Sequence, residues 1–329
     1  MRIVFMGTPE FAVPSLEALL DAGHDVAAVC CQPDRPKGRG GKVQMCPAKE
    51  CALKHGIPVI QHERLRRAEA VAEIAAFEPE LFVTAAFGQI LSRRLLAIPP
   101  RGTVNVHASL LPKYRGSAPI NWSLICGEET VGVTTMMTDI GMDTGDMLLR
   151  EETQVRPGET AGELTERLSV LGAGLLVRTL EALEAGNCPR TPQNPEEASY
   201  YPMLEKTLGD IDWTKSAREV DCLVRGVNPW PGAYTHRDGE VLKVWTTRVL
   251  EDGEEHVPGE VLQSGPKCGL IVACGQGAVE IVELQAAGSR RMRARDYLLG
   301  HPIAVGTVFQ TKKAECPQPA QDGQGRAME

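Results

Sequence analysis

Residues 2–31 read RIVFMGTPEFAVPSLEALLDAGHDVAAVCC. The run from Arg2 to Gly7 is apolar without alternation once Arg2 is passed, the pattern of a strand buried on both faces of a parallel sheet. Phe11, Val13, Leu16, Leu19 and Leu20 then recur at helical spacing, with Pro9 near the start and Gly23 as the stop. Asp25 to Cys31 is a second strand, so the stretch is one right-handed strand–helix–strand unit. Outward from it the pattern repeats. Helices are predicted over 48–55, 68–77, 90–98 and 160–185, and strands over 58–60, 81–87, 103–107 and 131–137. Strands alternating with helices over this length predict an α/β fold. Its Rossmann-like open, mostly parallel sheet domain spans residues 1–186.

The texture then changes. Pro189, Pro192, Pro195 and Pro202 stand among polar residues, which predicts a linker over 187–205. Short β-like runs at 241–245, 259–263, 270–273 and 279–282, separated by Gly, Pro and Asp, predict a smaller OB-like β-barrel domain over 206–311. Residues 312–329 lack periodicity and are predicted to be a disordered tail.

The chain has 329 residues with 35 Lys+Arg against 43 Asp+Glu, a net charge of −8, which excludes a general nucleic-acid coat or a polybasic membrane binder. The charge is uneven. Residues 35–54 carry a local net of +5, whereas residues 151–200 hold nine acids against four arginines. Every apolar stretch is broken well before the ~20 residues of a spanning helix, and the first residues read as a strand at once, so a cytoplasmic protein is expected. The ten cysteines show no C-x-x-C spacing, which predicts reduced thiols and no metal.

Where a dinucleotide fold would place G-x-G-x-x-G, the chain has Gly7-Thr8-Pro9-Glu10, with a single glycine, so no nucleotide site is expected at the first turn. Ligands of open sheets bind beyond the carboxyl ends of central strands. The strand T-V-N-V-H at 103–107 delivers Asn105 and His107 there on one face. An amide that can meet a developing oxyanion beside an imidazole that moves protons near neutral pH suits acyl transfer. From the residues alone, a structural histidine bonded to backbone fits equally well. Next comes Ser109-Leu110-Leu111-Pro112-Lys113-Tyr114-Arg115-Gly116, either a pocket wall for a flat, partly apolar, acidic ligand or a plain connection. Asp139-Ile140-Gly141-Met142-Asp143-Thr144-Gly145-Asp146 is a turn rich in glycine and carboxylates, without the EF-hand spacing.

Together, Asn105-Val106-His107, Ser109 to Pro112 and Asp143 in D-T-G-D resemble the folate-dependent formyltransferases, which use 10-formyltetrahydrofolate. M-G-T-P-E-F at Met6 to Phe11, A-F-G-Q-I-L at Ala86 to Leu91, P-D-R-P-K-G-R-G-G-K at Pro33 to Lys42 and N-P-W-P-G-A at Asn228 to Ala233 extend the similarity to about residue 310. They resemble the members that act on aminoacyl-tRNA. The resemblance implies transfer of the formyl group of 10-formyltetrahydrofolate to the α-amino group of methionine on initiator methionyl-tRNA. Asn105, His107 and Asp143 would be the catalytic residues, with Asn105 and His107 on the oxyanion and Asp143 holding the imidazole. The folate co-substrate would contact Ser109, Leu110, Leu111, Pro112, Phe87, Gly88, Gln89 and Ile90. Asp139 and Asp146 are assigned to turn geometry.

Between Cys31 and Pro47, Arg35, Lys37, Arg39 and Lys42 stand among glycines, which reads either as a flexible surface loop or as a grip on the acceptor end of tRNA. By resemblance Arg39 is the leading contact. Arg290, Arg291, Arg293 and Arg295, near Lys312 and Lys313, form a second basic cluster, which reads either as a solvated face or, beside an OB-like barrel, as a contact with the tRNA backbone; relatives commonly carry Lys before these arginines, where this chain has Gly288-Ser289. A monomer is expected. The competing readings are a formyltransferase with a small amine acceptor, a hydrolase releasing formate from the same folate, and a non-catalytic RNA-binding protein. The last leaves Asn105, His107 and Asp143 without a purpose.

Overall fold

The strand that opens the sequence sits near the middle of a seven-stranded sheet. In the computed structural model, which describes residues 1–37 and 41–311, the N-terminal half runs β1 (Arg2–Gly7), α1 (Val13–Asp21), β2 (Asp25–Cys30), β3 (Arg35–Lys37), β4 (Lys42–Gln44), α2 (Pro47–Lys54), β5 (Val59–Ile60), α3 (Ala68–Ala75), β6 (Leu81–Ala85), α4 (Arg93–Leu96), β7 (Thr103–His107), β8 (Arg115–Gly116), α5 (Pro119–Ile125), β9 (Thr130–Met137), β10 (Met147–Gln154) and α6 (Ala161–Glu184). The main sheet has the order β10-β9-β7-β6-β1-β2-β5. It is parallel from β5 to β7 and antiparallel at β9 and β10. Ile3 and Phe5 face the layer built with α1 and α6, whereas Val4 and Met6 face the layer built with α3. Both faces are covered, which is why β1 does not alternate.

The helix predicted over 90–98 is only the single turn of α4, capped by Ser92, whose Oγ accepts from the Leu95 N–H. Pro99 and Pro100 stop it, and residues 86–91 are a loop in which Ala86 and Gly88 take positive φ. The loop expected between Cys31 and Pro47 contains the antiparallel pair β3–β4.

α6 begins with a reciprocal capping box between Thr160 and Glu163. Just before it, Glu159 is 5% exposed and accepts from Arg167 Nε (2.8 Å), Arg167 Nη2 (2.8 Å) and the Arg156 N–H (2.9 Å). Burial pushes this carboxyl up, and the Arg167 and Arg156 hydrogen bonds outweigh it, holding the group below the usual carboxylate range. Arg167→Met leaves the carboxylate buried without its counter-ion and is expected to cost about 3 kcal/mol at pH 7, read by urea denaturation. A depressed carboxyl contributes stability above its unfolded pKa and loses it as pH falls through the folded one. The gap between variant and wild type should therefore narrow below the ordinary carboxyl range. Equal stability at pH 7 would refute the assignment.

The C-terminal half contains β11 (Tyr200–Tyr201), α7 (Ala217–Gly226), β12 (Ala233–Arg237), β13 (Glu240–Leu250), β14 (Val261–Gly265), β15 (Gly269–Ala273), β16 (Ala278–Ala286), β17 (Met292–Arg293) and α8 (Ala294–Gly300). Its sheet runs β12-β13-β16-β15-β14, with β17 added to β16. Residues 307–310 then close it. The Val261 N–H donates to Thr307, Phe309 donates to Gly259, and His236 and Gln310 exchange both backbone bonds. Closure joins the two sheet edges into a barrel around Trp213, Val261, Val272, Val279, Ile281 and Phe309.

The proline-rich stretch expected as a linker is hydrogen-bonded along the N-terminal half. Thr191 and Met147 exchange backbone bonds of 2.9 Å, β11 pairs with β8 in parallel, and Trp122 Nε1 donates to the Pro202 carbonyl at 2.9 Å. The Tyr201 ring stacks on Tyr114 and Trp122, which pack into the C-terminal core. Among the described residues, no helix is long and apolar enough to cross a membrane.

Candidate active site

The chain leaves β1 for one edge of the sheet and returns at β6 to build the other, so the order reverses between β1 and β6. In such sheets the crevice at the carboxyl ends of these strands is where ligands sit. The strand exits are tied together there. Thr8 Oγ1 donates to the Phe87 carbonyl (3.1 Å) and accepts from the Gln32 N–H (3.2 Å). One strand over, Thr84 of β6 is the register partner of Asn105 of β7.

The Thr84 hydroxyl donates to Asn105 Oδ1 at 2.7 Å. That bond orients the amide, and Nδ2 keeps its N–H groups free of any protein acceptor among the described residues. His107, two residues on, is 6% exposed, and its Nε2 lies 3.0 Å from the Tyr114 carbonyl. A carbonyl only accepts, so Nε2 carries the hydrogen and Nδ1 is the ring nitrogen left to face the site. Nδ1 faces Asp143 Oδ1 at 3.8 Å, within charge attraction but beyond a hydrogen bond. The ring is thus held by the Tyr114 backbone rather than directly by Asp143 as the resemblance implied. Asp143 is itself oriented by the Gly116 N–H, which donates to Oδ2 at 2.9 Å. Asp139 serves the turn: its Oδ1 accepts from the Gly141 N–H (3.0 Å) and the Thr144 hydroxyl (2.7 Å).

The Ser109–Pro112 loop is a rigid wall. The Ser109 hydroxyl donates to the Lys113 carbonyl (2.7 Å), and its carbonyl accepts from Thr134 Oγ1 (2.7 Å), which also takes the Leu111 N–H (3.2 Å). Ser109, Leu111 and Pro112 are buried, so of these four Leu110 alone keeps side-chain surface. In the neighbouring loop, Phe87 is buried. Gln89 is fixed by the Leu65 N–H to its Oε1 (2.9 Å) and by its own Nε2 to the His62 carbonyl (2.8 Å). The Gly88 backbone and the Ile90 side chain remain open to solvent.

The basic positions fall on two stretches of the chain, one at β3–β4 and one around β17. Arg35 pairs with Glu63 at 2.8 Å on the surface, Lys37 and Lys42 are cross-strand partners on β3 and β4, and Arg39 lies outside the described residues. Lys312 and Lys313 lie outside them too. The arginine cluster is partly neutralised: Arg291 pairs with Glu283, and Arg295 and Arg248 both pair with Glu280, while Arg290 stays exposed. Sequence reasoning missed Trp245, which has the Arg291 guanidinium at 5.2 Å and Lys243 at 5.4 Å from its ring. The i, i+2 spacing of Lys243 and Trp245 on a strand was the available signal. Among the described residues, no cluster of His, Cys, Asp or Glu could hold a metal ion, and the nine cysteines are free.

The formyl transferase family profile matches residues 1–180, and that of the formyl transferase C-terminal domain matches residues 203–302. The chain is 54% identical to the methionyl-tRNA formyltransferase of Acetivibrio thermocellus, over 94% of this chain and 99% of that protein. It is 48% identical to that of Alkaliphilus oremlandii, with the same coverage of 94% and 99%. Among solved structures it resembles WlaRD, a sugar 3N-formyl transferase crystallised in the presence of dTDP and 5-N-formyl-THF, with a TM-score of 0.64 and 17% identity over 88% of this chain and 99% of that one. That likeness supports the fold. With both domains matched in order and relatives this similar over nearly the whole length, the chain belongs to the formyl transferase family, in its methionyl-tRNA formyltransferase branch.

Proposed function

We propose that this chain transfers the formyl group of 10-formyltetrahydrofolate to the α-amino group of methionine on initiator methionyl-tRNA, as a cytoplasmic monomer. The observation that carries the reading is the trio at the end of β7: the free Asn105 amide, the Nδ1 of His107 and the Asp143 carboxylate 3.8 Å from it. Relatives that share about half of its residues bear that activity in their names. A folate-type donor is supported by the open Gly88 backbone and Ile90 side chain in the loop that follows β6, the strand paired with β7.

The α-amine must be neutral to attack. The neutral amine nitrogen bonds to the formyl carbon, and the Asp143–His107 pair accepts the proton that this nitrogen then sheds. The carbonyl electron pair moves onto oxygen, where Asn105 Nδ2 and protonated His107 Nδ1 donate hydrogen bonds to it. Collapse breaks the bond from that carbon to the donor's nitrogen, and the His107–Asp143 pair returns a proton to the departing nitrogen. With Nε2 of His107 bonded to the Tyr114 carbonyl, Nδ1 is the single ring nitrogen left for both jobs. No covalent enzyme intermediate is needed.

Incubation with 10-formyltetrahydrofolate and, separately, initiator methionyl-tRNA, glycinamide ribonucleotide, an amino-sugar nucleotide and water should give formylmethionyl-tRNA as the sole rapid product. Turnover with a small amine and none with the tRNA would overturn the reading. The exposed basic positions Arg35, Arg290 and Arg293 are assigned to tRNA phosphates, and Arg291 to the Trp245 face. Replacing Arg290 and Arg293 together by glutamine should weaken tRNA binding. It should also flatten the log–log salt slope by about one for each phosphate no longer neutralised, with the KM for the folate unmoved. An unchanged slope would remove these residues from the interface.

A further inference from the structure

Two residues of the site hold left-handed backbone without being glycine: Tyr114 at φ 59° and Asp143 at φ 55°. Such conformations persist where the surroundings over-determine them. Here both are bound by the same proline-rich strap. Gln193, 9% exposed, donates its two Nε2 hydrogens to the carbonyls of Asp143 (2.8 Å) and Gly145 (2.8 Å). Its Oε1 accepts from Arg115 Nε (2.9 Å) and Nη2 (2.7 Å). Arg115 is 5% exposed and is anchored in turn on the Tyr200 hydroxyl, with its guanidinium 5.3 Å from that ring. Further along the strap, Ser199 Oγ accepts from the Tyr114 N–H (2.9 Å), and the Ser199 carbonyl accepts from the Arg115 N–H (2.9 Å).

The catalytic turn is pinned at its start by Asp139 on Thr144 and at its end by the Met137 N–H on the Asp146 carbonyl. In between, Gln193 holds the backbone at Asp143 and Gly145, while the Gly116 N–H holds the Asp143 carboxylate that must face His107. Tyr114, for its part, presents the carbonyl that holds His107 Nε2. Each half of the His107–Asp143 pair is therefore fixed through the strap that joins the two cores.

We propose that Gln193 is a positioning residue for formyl transfer: anchored by Arg115, its carboxamide sets the Asp143 turn against His107, while Ser199 acts in parallel on His107 through Tyr114. Because the strap runs directly into the barrel, the docking of the C-terminal half and the alignment of the catalytic pair are one mechanical unit. This rests on the formyl-transfer reading above, and the test separates the two.

Gln193→Met keeps the side-chain length and removes the amide. Gln193→Glu keeps the acceptor for Arg115 and turns the donor into an acceptor facing two carbonyls. Both should lower kcat by about 10- to 100-fold with KM for folate and tRNA within about twofold, as expected for a misplaced group that binds neither substrate. Glu196→Ala, on the exposed side of the same strap, should leave kcat unchanged. The Gln193→Met, Asp143→Asn double variant should be no slower than Asp143→Asn alone, since a residue acting only through Asp143 has nothing left to position. Independent, multiplicative losses, an equal loss in Glu196→Ala, or a wild-type kcat in both Gln193 variants would overturn the proposal. A wild-type protein that does not formylate methionyl-tRNA would overturn the functional reading instead.

Discussion

Asn105→Ala is expected to lower kcat for methionyl-tRNA formylation by about 10²- to 10³-fold, the usual cost of one oxyanion donor, with KM for the formyl donor nearly unchanged. Among the described residues the amide makes one bond, from the Thr84 hydroxyl to Oδ1 at 2.7 Å, and its donor side has no protein acceptor. Its contribution is therefore deferred to the moment when charge appears on the formyl oxygen, which places the loss in kcat. Asn105→Asp is the sharper version. It preserves shape and the bond from Thr84 but replaces the donor by a carboxylate oxygen that repels the oxyanion, so it should be at least as slow as alanine. His107→Ala should be comparably slow. Single-turnover formylation by Asn105→Ala at the wild-type rate would show that the oxyanion is met elsewhere.

What the residues alone conveyed about this site follows from where the information is stored. β7 matches its predicted span of 103–107 because its other positions, Thr103, Val104 and Val106, are all β-branched. Two polar side chains at i and i+2 on such a strand are conspicuous. The chemistry of His107 was not accessible in the same way. Which ring nitrogen faces the site depends on the Tyr114 carbonyl, and that carbonyl is placed by a left-handed residue that no periodicity announces. The clamp on Asp143 was hidden for a related reason, since Gln193 reaches the turn from about fifty residues away along the chain. Composition marks that stretch as a linker, and nothing local distinguishes Gln193 from solvent-facing neighbours.

The start of α7, by contrast, is written locally. Ser216-Ala217-Arg218-Glu219 is a capping-box signature, and Ser216 Oγ does accept from the Glu219 N–H while Glu219 bonds back, starting α7. β10 was harder. M-L-L-R-E-E-T-Q at an edge of the main sheet carries charged residues at consecutive positions, as edge strands do, and reads as a loop without its partner β9. The arginine cluster erred in the opposite direction. Four cations within six residues look free in a string, yet Glu283 and Glu280 of β16 lie alongside and pair with two of them. Net charge and its runs thus describe what a surface can offer, and cross-strand neighbours decide how much of it remains.

Gly145→Ala should abolish most activity by a route that removes no functional group. A Cβ built on Gly145 would lie 1.9 Å from the Met137 carbonyl oxygen and 2.9 Å from its carbon, both backbone atoms. No rotamer relieves that contact, so either β9 or the turn must move. Met137 is tied to Val104 of β7 in the register of the main sheet, whereas residues 139–142 of the turn are largely exposed. The turn is the softer side and gives way. Its displacement carries Asp143 away from His107 and strains the Gln193 bond to the Gly145 carbonyl, 2.8 Å in the native chain. A shift near an ångström at a reacting group costs about 10²-fold in turnover. The accompanying loss of stability should stay near the 1–3 kcal/mol typical of overpacking, so the variant remains folded. Gly174→Ala is the matched control. It sits on the exposed face of α6 with nothing within 4 Å of the added carbon, and should raise stability by about 0.5–1 kcal/mol with kcat intact. The same added methyl, tested by kcat and Tm side by side, then separates a glycine required by the catalytic turn from one the helix merely tolerates; wild-type turnover in Gly145→Ala would mean that the turn does not set the position of Asp143.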